Sequence, residues 1–591
     1  MNRTDREVDQ LAKLIACAAG HEPADLVVRG ANLVNVFTGE IYPADVAIKD
    51  GRIVGLDDYD ARDEIDASGL YLAPGLIDGH FHLESALLSP AEFARMALPL
   101  GATTVVIDPH EIANVAGVEG IRQLIRATEG LPVTFYIMVP SCVPASDLET
   151  SGAELTAADV ETLGKEDRVL GLAEVMNVPG VLSGEFSVIE KIVSCHTKAI
   201  DGHAPGLRGR DLNAYVAAGM RSDHETTDPY EGLEKMRAGM YLMVREGSAA
   251  RNLDDLLRIV KPRNARRCML VTDDLLPTDI DENGYINYLL KRAVADGIEP
   301  VTAIQMATLN AAERFRLPDR GAIAPGYRAD IVAFPDLEHF EPAFVIANGR
   351  LAAKNGEVVG EISARAEFDD RLMRSVNALD VCAEDLRIRA RHGLCRAIGA
   401  VGDQIITEAL TLKPTTHDGW VVADVKRDLL KMAVVERHCA SGRIGLGLIR
   451  GFGLHDGAIG SSVAHDSHNL VAIGTNDEDM ALVFSRLMSL RGGLVVASDG
   501  KVLADLPLPI GGLMSDLPVS EVVSRLRGVE KAARDLGCVM NHPFMTLSFM
   551  CLSVLPELKL TDRGLVDATT NRIVGLFEEA AVAPPAVAAV R

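Results

Sequence analysis

Ligand-type side chains stand singly along this chain, each after a short apolar or small-residue run, and that order limits the architectures able to bring them together. The run YLAPGLIDGHFH finishes in His80 and His82; AEVMN then carries Glu174, DGHAPG His203, SDHE His224, and LVTDD the adjacent Asp273 and Asp274. Side chains alternate faces along a strand, so His80 and His82 point the same way, and neutral imidazole is the commonest side-chain metal ligand. In a (β/α)8 barrel the chemistry-bearing groups collect at the C-terminal ends of successive strands, so residues distant in sequence meet in space. The stretch 76–317 has the length of one such barrel, roughly 250 residues. A lone Glu or His after a strand is usually a capping or solvated residue; the ordered set is what points to a metal centre.

The flanks have a different texture. DLVVRGANLVNVFTGEIYPADVAIKDGRIVGL, from Asp25, and GYRADIVAFPDLEHFEPAFVIANGRLAAKNGEV, after the barrel, hold short β-branched runs separated by turn residues. KDG at 49–51 and NG at 348–349 and 355–356 are expected hairpin turns. Segments 25–75 and 318–364 are therefore expected to form one small β-sandwich. Ahead of them, residues 1–24 place Val8, Leu11, Leu14 and Ile15 at helical spacing, which predicts an amphipathic helix that packs on a neighbour. From 365 to 591, strand-like GWVVADVKR and SGRIGLGLIRG alternate with helical EDMALVFSRLMSLRGG, giving a C-terminal α/β domain. There SSVAHDSHN crowds His465, Asp466 and His468 into one loop, which suits a polar capping turn, a contribution to the active-site mouth or the binding of an additional metal.

Composition excludes several classes. The chain has 591 residues, 48% of them apolar, enough for about two to four domains. With 59 basic against 84 acidic residues the net charge is -25, which disfavours nucleic acid, since that binding rests on lysine and arginine neutralising phosphates. Nine scattered cysteines lack a CxxC pair and read as reduced thiols. The N-terminus lacks a signal-peptide apolar core and no apolar run reaches membrane-spanning length. The expectation is a cytoplasmic enzyme acting on a small neutral substrate.

The motifs PGLIDGHFHLES, TTVVIDPHEIANV, AEVMN, DGHAPGL, SDHE and LVTDD resemble those of the adenine deaminase family within the metal-dependent amidohydrolase superfamily. The resemblance extends to GLHDGAIGSSVAHDSHNLVAIGTNDEDM, similar to that family's additional C-terminal domain. It implies an α/β protein with a (β/α)8 TIM-like amidohydrolase barrel, and hydrolytic deamination of adenine to hypoxanthine and ammonia. Other outcomes of the same metal set are an amidohydrolase acting on a cyclic amide or another nucleobase, or a barrel kept only as a scaffold.

On that reading, His80 and His82 hold one divalent ion with Asp273. Glu174 bridges to a second held by His203 and His224, in place of the carboxylated lysine of many binuclear relatives. Oxygen and nitrogen donors without thiolate suit manganese, iron(II) or zinc, and the resemblance favours manganese or iron. A divalent ion lowers the pKa of water from about 15.7 to ~7 and so supplies hydroxide. Of the adjacent pair Asp273 is the expected ligand, with Asp274 as its reserve; Asp273 is also the candidate proton carrier, and Glu84 or Glu111 the acid beside ring N1. In DPHEIAN, Asp108, His110 and Asn114 are expected at the substrate rim, although Asp108 and Asn114 also suit turn and cap positions. Met176, Phe81 or aliphatic faces are expected to stack on the purine, and a homodimer is the expected assembly.

Overall fold

A computed structural model describes residues 3–362, 367–402 and 404–578. The chain divides into two compact units: Met1–Val143 with Glu154–Asp370 and Met514–Val523, and Pro144–Ala153 with Arg371–Leu513 and Ser524–Arg591.

In the first unit eight parallel strands follow one another around a barrel: β1 (Leu76–Phe81), β2 (Ala102–Ile107), β3 (Thr134–Val139), β4 (Val169–Val175), β5 (Ala199–Gly202), β6 (Ser222–Asp223), β7 (Tyr241–Arg245) and β8 (Cys268–Val271). Each pairs with its sequence neighbour. A parallel bridge between Phe81 and Asp273 closes the ring, with the Asp273 N–H donating to the His80 carbonyl at 3.0 Å. Strands β1 and β2 are buried along their whole length, as expected of parallel strands covered on both faces. Ile77, Val106, Met138, Met243 and Val271 share one core with Ala311, Phe315 and Leu317.

The two flanking pieces meet in a nine-stranded sheet. Its long strand Ala24–Asn35 breaks register between Val28 and Ala31; the first half pairs with Ala61–Asp66 and the second with Tyr71–Pro74. Ile331–Phe334 then joins the C-terminal piece to Tyr71–Pro74. Leu33, Ile48 and Leu72 share a core with Ile331 and Ile346. All three expected turns are present, with positive φ at both central residues: Asp50 and Gly51, Asn348 and Gly349, Asn355 and Gly356. Two successive positive φ values match the twist of the flanking strands and favour Asn, Asp and Gly there.

The N-terminal helix spans Arg3–Ala18. Leu14 and Cys17 dock it on Ala24, Val27, Ala47 and Val54, whereas Val8, Leu11 and Ile15 are exposed, so only part of the apolar stripe is covered.

The second unit carries an eight-stranded sheet of mostly antiparallel pairs, including Leu429–Val435, Ile444–Arg450 and Leu470–Gly474. Helix Asp477–Leu490 lays Met480, Val483, Phe484 and Leu487 on Ala433, Leu470 and Val495. The boundary expected at 364–365 lies outside the described residues. Two exchanges were not visible in the sequence. Segment Pro144–Ala153 belongs to the second unit, where Thr150 bonds Asp562 through its N–H and hydroxyl at 2.9 and 2.6 Å. Segment Met514–Val523 belongs to the first, where the Val519 N–H donates to Glu92 at 2.9 Å. All nine cysteines are free thiols. Among the described residues no helix is long and apolar enough to cross a membrane.

Candidate metal centre

The barrel gathers the six expected ligand residues at the C-terminal ends of its strands. His80 and His82 leave the end of β1 on the same face, their ring centroids 5.0 Å apart, and His80 stacks on His224 at 3.9 Å. Glu174, near the end of β4, lies at the centre of the group. Its Oε1 is 3.4 Å from His82 Nε2, while its Oε2 is 2.5 Å from His203 Nδ1 and 3.2 Å from His224 Nε2. Asp273, just beyond β8, places Oδ1 at 3.0 Å from His82 Nε2 and 3.5 Å from His80 Nε2. It adopts φ 62, a left-handed conformation uncommon for a non-glycine residue and concentrated at functional sites. Asp274 turns elsewhere and accepts the Ser85 hydroxyl at 2.5 Å.

Burial opposes charge on His80, His82, Glu174, His203 and Asp273, yet the attraction of their neighbours wins. Burial lowers the His80 imidazole, but Asp201 and Asp273 outweigh it and raise it to about 10. Burial raises Glu174, but His224 and His203 hold it well below the usual carboxylate range. Asp273 is likewise held low by Arg245, His80 and His82 against the effect of burial. Protons on the imidazoles balance the carboxylates; a divalent cation does the same work by displacing them.

Supporting groups fix these rings. His82 Nδ1 is 3.1 Å from the Asp108 carbonyl, and His80 Nδ1 is 3.6 Å from Asp201. Partners of this kind set which ring nitrogen faces a metal. Beneath His203 and His224, Asp223 accepts the Ala204 N–H at 2.8 Å and the Thr226 N–H at 3.0 Å. The buried Lys235 ammonium donates to Asp223 at 2.9 Å, Glu231 at 2.6 Å and the Ala204 carbonyl at 2.6 Å. Removing one member of a buried pair leaves the other charge uncompensated. Lys235→Met is therefore expected to destabilise the barrel by about 3–5 kcal/mol in denaturant unfolding, and an unchanged midpoint would remove Lys235 from this role.

The sequence reading missed Arg245, Glu225 and Asp201. Arg245 ends strand β7 with its guanidinium between Glu225 and Asp273. Its signal was present, since YLMVR is another apolar run ending in a polar group.

The DPHEIAN residues lie closer to the cluster than a rim position implies. They open the helix His110–Ala127, and His110 Nδ1 is 3.3 Å from Asp108 Oδ2 and 3.5 Å from Glu174 Oε1. Glu84 accepts the Ile112 N–H at 3.1 Å. Burial first, then the neighbouring Glu111 carboxylate, push Glu84 up to about 7. The Asn114 amide donates to the His110 carbonyl one turn back at 3.0 Å, a bond along its own helix. Met176 is half-buried just after β4. Phe81 is a correction to the stacking expectation: strand alternation turns it away from His80 and His82, and it packs against Phe93 at 4.8 Å and Tyr285 at 5.8 Å.

Within the second unit, the His465 ring stacks on Phe549 at 4.5 Å, and His468 Nδ1 accepts the Ala464 N–H at 3.2 Å.

The donor set fits a divalent metal. His80, His82 and Asp273 offer ligand atoms within 4.8 Å of one another, as do His80, Glu174 and His224, and also His82, Asp108, His110 and Glu174. All are buried, and His80 Nε2 and both Asp108 carboxylate oxygens have no hydrogen-bond partner. A cation bound among them would give these buried atoms partners.

Residues 71–358 match the amidohydrolase family and residues 404–572 the adenine deaminase C-terminal domain. A relative from Carboxydothermus hydrogenoformans, named adenine deaminase 2, is 48% identical over 563 residues, covering 95% of this chain and 98% of the relative. The chain belongs to the adenine deaminase family. Another family member, from Kosmotoga olearia and named adenine deaminase, is 46% identical over 568 residues, with 95% and 98% covered. Among solved structures, one described as an adenine deaminase is 17% identical, covers 57% of this chain and 99% of its own, and superposes with a TM-score of 0.43. The family is metal-dependent, and the His, Asp and Glu cluster of this chain is able to hold a metal ion.

Proposed function

We propose that this chain deaminates adenine hydrolytically to hypoxanthine and ammonia, as a step of purine salvage. The observation that carries the reading is 48% identity across 95% of the chain to a relative named adenine deaminase 2.

His80, His82 and Asp273 would hold one divalent cation, and His203 and His224 a second. Glu174 would join the two, a role supported by the division of its oxygens between His82 on one side and His203 and His224 on the other. Manganese or iron(II) suits these oxygen and nitrogen donors, with zinc as a third choice. When bound, the cations supply water acidified enough to add at C6 near neutral pH. Asp273 accepts the proton of the attacking water and returns it to the departing amine, so one carboxylate acts as base and then as acid. Ring N1 needs a donor that is still protonated at neutral pH. Glu84, pushed up to about 7 by burial and then by Glu111, keeps its proton much closer to neutral pH than an ordinary carboxyl does. Asp108, His110, Asn114 and Met176 complete the substrate pocket in this reading.

Free adenine is the substrate and a cytoplasmic homodimer the working form. Ammonia release from adenine, adenosine, cytosine, guanine and hydantoin by manganese-loaded protein tests the assignment. Adenine should exceed every other compound; faster turnover of adenosine or of a cyclic amide would overturn it.

A further inference from the structure

One guanidinium at the mouth of the barrel is shared by two acids. Arg245 ends β7, and Nη1 reaches both Glu225 and Asp273, while Nη2 donates to Glu225 at 3.2 Å. The arginine side chain is 3% exposed and the two carboxylates 7% and 5%. Glu225 in turn lies 3.6 Å from His224 and 3.8 Å from His203, so the pair ties the end of β6 to β7 and to Asp273 beyond β8.

The two oxygens of Asp273 are thereby made unequal: Oδ1 faces His80 and His82, and Oδ2 is held by Arg245. A carboxylate otherwise turns about a broad, nearly two-fold torsion, and a freely turning one presents either oxygen in many orientations. We propose that Arg245 is a positioning residue for the reaction: through Oδ2 it fixes the plane of the Asp273 carboxylate, with Oδ1 kept towards His80 and His82, in the orientation that proton transfer requires, and Glu225 fixes Arg245. This rests on Asp273 being the proton carrier. Lysine substitutes poorly, because its single ammonium lacks the second nitrogen by which Glu225 holds the guanidinium through both carboxylate oxygens and so sets the direction of Nη1 towards Asp273.

Misplacing a reacting group costs the chemical step rather than substrate binding. The test compares manganese-loaded full-length wild type, Arg245→Gln, Arg245→Lys, Glu225→Gln and Asp273→Asn for metal content, kcat and KM with adenine. Arg245→Gln is expected to keep its metal and a KM within about threefold while kcat falls about 100-fold. Arg245→Lys should restore little of the loss, and Glu225→Gln should lose kcat by about tenfold. The proposal is overturned if Arg245→Gln keeps wild-type kcat, or loses metal in proportion to kcat. Should Arg245→Gln not fold, Arg245→Lys decides: a kcat reduced at least about tenfold with metal retained supports the proposal, and any smaller reduction or parallel metal loss overturns it. Near-normal kcat in Asp273→Asn overturns the proton-carrier reading and this proposal with it. An inactive Asp273→Asn beside a normal Arg245→Gln overturns only the role of Arg245.

Discussion

Asp273→Asn is expected to retain most of the bound metal and lose about 10³-fold in kcat for adenine, a barrier increase of about 4 kcal/mol. The two expectations separate because the proposed mechanism gives the residue two duties. As a ligand, Asp273 would share an ion with His80 and His82, and both imidazoles remain in the variant. As a proton carrier it would act alone on the attacking water and the departing amine, and an amide oxygen is too weak a base for that exchange. Metal analysis beside steady-state kinetics reads both duties. A variant with full metal and a near-normal rate would take the proton-carrying role away from Asp273.

Glu174→Gln should fail in the opposite manner, with metal lost first and activity lost as a consequence. Glu174 is the one carboxylate of the cluster that faces His82, His203 and His224 together, at 3.4, 2.5 and 3.2 Å. The amide keeps the size of the side chain but removes the charge that balances those imidazoles and would bind both cations. Dialysed Glu174→Gln is expected to hold only a small fraction of the wild-type metal, with residual activity proportional to it. Wild-type metal content in this variant would show that the centre does not depend on Glu174.

The positions of His80, His82, Glu174, His203, His224 and Asp273 were legible because a parallel barrel puts its chemistry at strand ends, and strand ends are readable as apolar runs stopped by a polar residue. Hairpin turns such as Asp50-Gly51 were legible because positive φ narrows the choice of residue. Arg245 carries the same signal at the end of YLMVR, but a cation there does not suggest a metal ligand. Glu225 was hidden, being an ordinary charged residue on its own that only its pairing with Arg245 in the folded barrel turns inward. Asp201, which stands behind His80, was hidden in the same way. The inclusion of Pro144–Ala153 in the second unit depends on long-range bonds such as Thr150 to Asp562, which no local pattern records. Residue type alone lets Phe81 stack on a substrate, whereas its place between His80 and His82 assigns it to the opposite face of the strand.

The most direct measurement follows adenine by ultraviolet absorbance in one preparation of the protein, first stripped of metal and then reloaded with manganese, with ammonia assayed in parallel. The account predicts no conversion by the stripped protein and stoichiometric hypoxanthine and ammonia after reloading. Fully metal-loaded protein that leaves adenine unchanged would contradict it.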